Sequence, residues 1–359
     1  MSPVSNLLIN LSFLLKEPTG ISVYAQNVFP YLAPLAPTLL ASQDWPGFSR
    51  YPVSDQLTPA QGSRGHFNRL VWTETQLPRI YRELQADLLF SPVPEAPLIQ
   101  PCRSVVMVHD LIPLRFPRWR SPLTYYCRFY LPQVLNRATQ ILCNSQATAD
   151  DLIDFFQIPA AKITPILLGH DPSRFFCPEP RESPRPYFLY LGRLDPHKNL
   201  ARLIQAFAQI PEEYELWCAG PPDPRYRPGL TALAESLGLG ARLRWLDYIP
   251  PEDLPLLLHR ATALVFPSLW EGFGFPALEA MACGTAVITS NCSSLPEVTE
   301  EAALLVNPYH VENIAGAVKR LIQEPGLRSE LVQKGLARAK QLTWAETGRR
   351  TRECLEKWL

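Results

Sequence analysis

The stretch "EGFGFPALEAMACGTAVI", residues 271 to 288, sets two carboxylates, Glu271 and Glu279, about an apolar, glycine-bearing turn. It follows an apolar run and reads strand, loop, helix, with a stop at Gly284. Gly272 and Gly274 let backbone approach a ligand, and unbonded N–H groups at a helix start suit a phosphate. Pro276 is read as the first helical residue, where its missing N–H costs nothing. Glu279 then falls in the first turn, near the positive end of the helix dipole. Complementing that dipole is one use for Glu279 and reaching a ligand is another. Glu271 lies in the loop ahead.

A second loop, in "YFLYLGRLDPHKNLARLIQAF", places Arg193 and Lys198 between a strand ending at Gly192 and a helix beginning near Asn199. Arginine grips a diphosphate through two parallel bonds and lysine adds a point charge. Singly, either could be an ordinary surface charge; a shared strand-to-helix turn points to a site. His197 is read as solvent-facing, without a role. A third stretch, "SVVMVHDLIPLRFP", ends a buried strand in His109-Asp110. His109 there serves either as a packed structural histidine or as a partner for a substrate hydroxyl.

Residues 111 to 149 hold no acid, but Arg115, Arg118, Arg120, Arg128 and Arg137. Phe116, Trp119, Tyr125, Tyr126, Phe129 and Tyr130 lie among them. The segment fits an interfacial surface for anionic lipid or a polyprenyl-diphosphate acceptor. It equally fits a helix that packs its aromatics inward and solvates its arginines.

These residues need a frame. With 359 residues the chain exceeds one comfortable core. Lys+Arg 34 balance Asp+Glu 34, so no global field recruits nucleic acid, and none is expected as a partner. The sequence lacks a D-x-D pair, a G-x-x-x-x-G-K-[ST] loop and a G-x-G-x-x-G turn. A phosphate would be held by cations and helix ends, so neither metal nor cofactor is expected. The 8 cysteines form no C-x-x-C pair and read as reduced, buried thiols. The apolar run Leu7 to Leu15 lacks a basic flank and is too short to span a bilayer; it reads as a first strand entering a turn at Gly20. A cytoplasmic protein is expected, touching at most the inner face of a membrane through residues 115–137.

Short apolar runs alternating with helical periodicity predict an α/β fold. The expected strands are "VSNLLINL", "DLLFSP", "SVVMVHD", "QILCNS" and "ITPILL", then "PYFLYLG", "YELWCAG", "RLRWLDY", "TALVFPS", "TAVITS" and "ALLVNP". Proline-rich "GHDPSRFFCPEPRESPRP" marks a boundary. The expected domains are 1–175 on the acceptor side, 176–342 binding the donor, and 343–359 as a helix returning to the first. Each would be doubly wound, with ligands at the carboxyl ends of its strands.

"GRLDPHKNLARLIQAF" and "LVFPSLWEGFGFPALEAMACGTAVITSNCSSLPEV", with "TGISVYAQNV", "VMVHDLIPLRFP" and "ILCNSQATADDLI" before them, resemble the family 4 retaining glycosyltransferases of the GT-B fold. The resemblance implies two doubly wound parallel-sheet domains facing each other across a cleft. Arg193 and Lys198 would bind a donor diphosphate, and Gly192 belongs to the same donor-binding set. Glu271 would contact the donor sugar, helped by N–H groups around Gly272, Phe273 and Gly274. Glu279 would take the ribose hydroxyls, and Tyr248 and Ile249 the base. His109 would lie near the transferred sugar and Gly20 near the phosphates. The expected reaction moves a mannose-like sugar from a nucleotide sugar, GDP-linked by preference, to a glycan or polyprenyl-linked acceptor in polysaccharide or lipopolysaccharide-type assembly. Two other functions use similar parts. A silent nucleotide-sugar or glycan-binding module would be favoured by loss of the charged residues, all of which are present. A UDP-sugar epimerase of like architecture would need an acid–base set that the sequence does not display.

Overall fold

The computed structural model describes residues 6–14, 20–100, 102–177 and 185–359. The chain divides into two compact units, Met1–Gly169 with Trp344–Leu359, and His170–Thr343. It enters the second unit six residues ahead of the boundary read from the prolines. There both the backbone N–H and Nδ1 of His170 bond Leu342 O, at 3.1 and 2.8 Å. Residues 178–184 of the proline-rich stretch lie outside the described residues.

The first unit is a seven-stranded parallel sheet of β1 (Leu7–Asn10), β2 (Thr38–Ala41), β3 (Ser49–Pro52), β4 (Leu88–Ser91), β5 (Ser104–Val108), β6 (Gln140–Cys143) and β7 (Ile163–Pro165). Its order is β3-β2-β1-β4-β5-β6-β7. Strands β1, β4, β5 and β6 are buried throughout, because helices cover both faces of a parallel sheet. That is why they read as unbroken apolar runs. Strands β2 and β3 were not among the expected ones: β3, Ser-Arg-Tyr-Pro, is a partly exposed edge strand without such a run. The expected turn at Gly20 is instead the first residue of the helix Gly20–Val28.

The second unit is a six-stranded parallel sheet of β8 (Tyr187–Leu191), β9 (Glu215–Ala219), β10 (Leu243–Leu246), β11 (Ala263–Phe266), β12 (Ala286–Ser290) and β13 (Ala303–Val306). Its order is β10-β9-β8-β11-β12-β13. The helix Leu200–Phe207 buries Leu200, Leu203, Ile204 and Phe207, one stripe at helical spacing, and Val311–Gln323 buries Ile314, Val318 and Leu321. Both stripes join one core with Phe188, Tyr190, Val265 and Ile288 of the sheet.

In this second sheet the winding reverses between β8 and β11. The loops leaving neighbouring strands there go to opposite faces and leave a crevice at the carboxyl ends. The loop after β8 carries Arg193 and Lys198; the loop after β11 carries Glu271. Strand order therefore brings together residues far apart in sequence.

Candidate donor site in the second unit

Lys198 ends a short 3-10 turn, Pro196–Lys198. Its Nζ lies 2.7 and 2.8 Å from the two carboxylate oxygens of Glu271. The Lys198 side chain is 18% exposed and that of Glu271 8%, so this pair is largely sheltered from solvent. The ammonium also stands 5.6 Å from the centre of the Phe266 ring, a cation–π contact. Sequence spacing had set the two residues in separate roles; the fold makes them one ion pair.

Several bonds fix this geometry. Leu269 N–H donates to His197 O at 2.7 Å, clipping the β11 loop to the β8 loop. Asn199 is left-handed, φ +64°, and its side-chain amide donates to Pro267 O at 2.9 Å and Pro308 O at 2.7 Å. Asn199 sits where an N-cap is expected, yet its side chain caps nothing and instead ties together the loops after β8, β11 and β13. On the far side, Glu271 N–H donates to Ser293 Oγ at 3.1 Å. Ser294 Oγ lies 3.0 Å from Glu271 O and 2.7 Å from Phe273 O, donating between them. Sequence reasoning missed Asn199, Ser293 and Ser294; the consecutive serines after β12, in a loop beside the site, were the available signal.

Gly274 has φ +106°, a conformation that glycine adopts without strain, and a Cβ there would come within 2.7 Å of Leu295 Cδ2. It starts the helix Phe275–Ala282. The backbone N–H groups of Gly272, Phe273 and Gly274 make no hydrogen bond among the described residues. Three unbonded donors in a row, beside a lysine, form a cradle for an anion. The helix starts at Phe275, one residue earlier than expected, so Pro276 is its second residue. Glu279 accordingly stands in the second turn, not the first, because no acid occupies the first. Its dipole role weakens accordingly, since that field fades within one turn.

Glu279 is half-buried, and its carboxylate accepts no hydrogen bond among the described residues. Burial pushes its pKa up to about 7, with Arg174 pulling the other way. An unsatisfied half-buried carboxylate is a natural acceptor for ligand hydroxyls.

Arg193 is 67% exposed, with Nε 3.0 Å from Asp195 Oδ2. Its carbonyl accepts from the buried Tyr190 hydroxyl at 2.6 Å, which anchors the loop and leaves the guanidinium outside. Gly192 spends its N–H on Ala219 O at 2.9 Å, so it offers space rather than a donor. His197, expected to face solvent, is half-buried; burial and then Lys198 lower its pKa, and its carbonyl holds the β11 loop. Tyr248 is 71% exposed and Ile249 half-buried, beyond β10, two strands from β8. The fold leaves them at a distance from the Lys198–Glu271 pair.

In the first unit, His109 follows β5. Its Nε2 donates to Pro92 O at 2.9 Å, and the Tyr24 ring meets it edge-on at 5.0 Å. Burial lowers its pKa to about 4. The imidazole is neutral at pH 7, with Nδ1 left as an acceptor. Gly20 is exposed at its helix start, and Thr19 before it lies outside the described residues. Among the described residues no group of three His, Cys, Asp or Glu is placed to hold a metal.

Two parallel-sheet units of this strand order, one with a cation–carboxylate pair at its switch point, have the architecture of the GT-B glycosyltransferases. The family model "Glycosyl transferases group 1" matches residues 174–338, and "Glycosyltransferase Family 4" matches 18–174. The chain is 33% identical over 261 residues to O-antigen chain mannosyltransferase B of Escherichia coli, covering 67% of each. It is 31% identical over 221 residues to O-antigen chain mannosyltransferase RfbU of Salmonella typhimurium, covering 61% of each. Against the E. coli serotype-specific mannosyltransferase WbdA, 30% identical, it spans 32% of that protein's length. Among solved structures, sucrose-phosphate synthase from Thermosynechococcus elongatus superposes with a TM-score of 0.79 at 20% identity, covering 98% of both chains. Anabaena HepE in complex with UDP and glucose gives 0.75 at 19%, over 98% of this chain and 100% of that one. The chain belongs to the family 4 glycosyltransferases of the GT-B fold.

Proposed function

We propose that this glycosyltransferase retains anomeric configuration, taking a mannose-like sugar from a nucleotide sugar to a glycan or polyprenyl-linked acceptor. The pairing of Lys198 with Glu271 beside three unbonded N–H groups carries this reading. On donor binding Lys198 turns to the diphosphate, with Arg193 swinging in from solvent, while Glu271 takes a sugar hydroxyl. Glu279 accepts from the ribose, and His109 Nδ1 accepts from a hydroxyl of the transferred sugar. The bond from the anomeric carbon to the diphosphate oxygen breaks and the acceptor oxygen bonds that carbon from the same face. The acceptor's proton passes to the departing diphosphate. Stabilising the diphosphate's growing charge with fixed cations and N–H dipoles is the main source of rate.

The mannosyltransferase names of the relatives support mannose and, with it, a GDP-linked donor in O-antigen-type polysaccharide assembly. The neighbour solved with UDP keeps uridine among the candidates. No helix among the described residues is long and apolar enough to cross a membrane, so a lipid-linked acceptor would be met at the bilayer surface.

A calorimetric panel of GDP-, UDP-, ADP- and dTDP-sugars without added metal tests the site. One base should bind clearly, and Lys198→Ala should weaken it by about 10–100-fold, the range of a hydrogen bond to a charged group. Because that change strands a sheltered carboxylate, Lys198→Ala/Glu271→Gln serves as the folded control. A folded protein that binds no nucleotide sugar, or binds one equally well in both variants, would refute the assignment.

A further inference from the structure

We propose that the first unit carries a docking face for an anionic lipid bilayer, centred on residues 118–129. It stands independently of the donor chemistry in the second unit. The acid-free segment divides into an inward and an outward set. Inward, Tyr126 OH donates to Pro94 O at 2.7 Å and Tyr130 OH to Glu74 Oε1 at 3.0 Å, and Arg115 Nε donates to Asp151 Oδ1 at 2.9 Å. Outward, Trp119 is 73% exposed, Phe129 60%, Tyr125 50% and Leu123 49%. Tyr125 and Phe129 stack with ring centres 6.3 Å apart. Arg118, Arg120 and Arg128 are exposed among them, and the latter two form no ion pair among the described residues. The helical segment changes to a π-turn at Tyr126–Tyr130, an irregularity common at functional surfaces.

Two other segments join this face. The helix Gly62–Thr75 leaves Phe67 and Val71, one turn apart, exposed, and its His66 ring lies 5.3 Å from that of Tyr126. Ile99 is 77% exposed, and its N–H donates to Glu74, the same carboxylate that Tyr130 holds. The acids contributed by these segments are turned inward. Glu74 is occupied by Leu98 N–H, Ile99 N–H and Tyr130. Glu95 is buried against Arg69, with contacts of 2.7 and 2.8 Å. What faces out is tryptophan, tyrosine, phenylalanine, aliphatic side chains and guanidinium. Clustered exposed apolar side chains of this kind mark an interaction site. Aromatic rings that sit at the headgroup boundary, interleaved with arginines that pair with lipid phosphates, fit an anionic bilayer. In a chain whose charges otherwise balance, the positive sign here is local.

The full-length protein floated with phosphatidylcholine vesicles, with and without phosphatidylglycerol, tests this face at low ionic strength. Flotation should require phosphatidylglycerol. Each arginine near an anionic surface contributes about fivefold to partitioning, equivalent to about 1 kcal/mol. Arg118→Gln/Arg120→Gln/Arg128→Gln should therefore lose about 100-fold, and Trp119→Ser/Phe129→Ser at least ~10-fold from the lost apolar contact. All five positions are exposed, so thermal unfolding and nucleotide-sugar binding should match wild type. The proposal is overturned if wild type fails to float, floats equally on neutral vesicles, or floats no better than the variants. It is also overturned if the substitutions split a wild-type dimer, which would make the face a contact between copies.

Discussion

Burial moves His109 and Glu279 in opposite senses. His109 falls to about 4 and Glu279 rises to about 7, in each case because burial penalises the charged form. Their pH dependences are therefore opposite. Below a pKa near 6.5 the unfolded chain protonates His109, whereas the folded chain resists until about 4. Stability is lost as pH falls through that window. For Glu279 the folded chain keeps its proton up to about 7, whereas the unfolded chain releases it near 4.5. Stability is lost as pH rises through that second window. Urea unfolding between about pH 4 and pH 8 should then separate the residues. His109→Gln should flatten the acid limb in the first unit, and Glu279→Gln the near-neutral decline in the second. Donor affinity should rise with pH through 7 in wild type, as the Glu279 carboxylate ionises to accept ribose hydroxyls. In Glu279→Gln it should be lower and flat. Parallel pH curves for wild type and Glu279→Gln would remove Glu279 from the donor site.

Elements pack by the side chains they lack as well as by those they have. In the first unit the helix Trp344–Glu356 lies on the 3-10 turn Phe29–Leu35, with Gly348 at the contact. A Cβ there would fall 2.4 Å from Tyr31 Cβ and 2.5 Å from its Cγ, atoms near the backbone that cannot swing away. Gly348→Ala should destabilise this unit by about 1–3 kcal/mol through overpacking. Gly316, inside the helix Val311–Gln323, meets nothing within 4 Å of a built Cβ. Gly316→Ala should stabilise the second unit by about 0.5–1 kcal/mol. Differential scanning calorimetry on both variants checks the opposite signs; two losses would mean the packing is misassigned. The same scale explains what the amino acids disclose. Leu-Leu-Ile-Asn of β1 and Ala-Leu-Val-Phe of β11 are legible because two-sided burial demands apolar residues at every position. Ser-Arg-Tyr-Pro of β3 is not, because an edge strand owes its place to one neighbour, β2. The carboxyl-end positions of Lys198 and Glu271 are likewise readable, since each ends an apolar run. Their contact is not, because it follows from β8 lying beside β11, a pairing that no local pattern encodes. Asn199 misleads for a related reason: its cap position is local, while its two carbonyl partners come from distant loops.

At the level of the whole chain the two units are built differently. The second is one continuous segment, His170–Thr343, with its own core, and it contains Arg193, Lys198, Glu271 and Glu279. The first is closed by a returning helix that supplies buried Trp344, Cys354 and Leu355. Trp344 lies against Tyr24, ring centres 6.5 Å apart, Thr347 Oγ1 donates to Leu167 O at 3.0 Å, and Arg350 donates to Pro165 O at 3.2 Å. Ending the chain after Thr343 removes all of these. Burying one large apolar side chain contributes about 1.5–3 kcal/mol, so losing this helix takes a large share of a domain's usual net of about 5–15 kcal/mol. It also bares Tyr24, whose ring supports His109. Calorimetry of residues 1–343 should show the first unit's transition lowered by tens of degrees or missing, with the second unit's transition in place. A nucleoside diphosphate, which lacks the sugar that His109 would meet, should still bind with close to full-length affinity. Loss of both transitions would show that the second unit does not stand alone. An intact second transition without nucleotide binding would mean that the diphosphate site draws on residues outside His170–Thr343, and Lys198 with Glu271 would then be insufficient to define it.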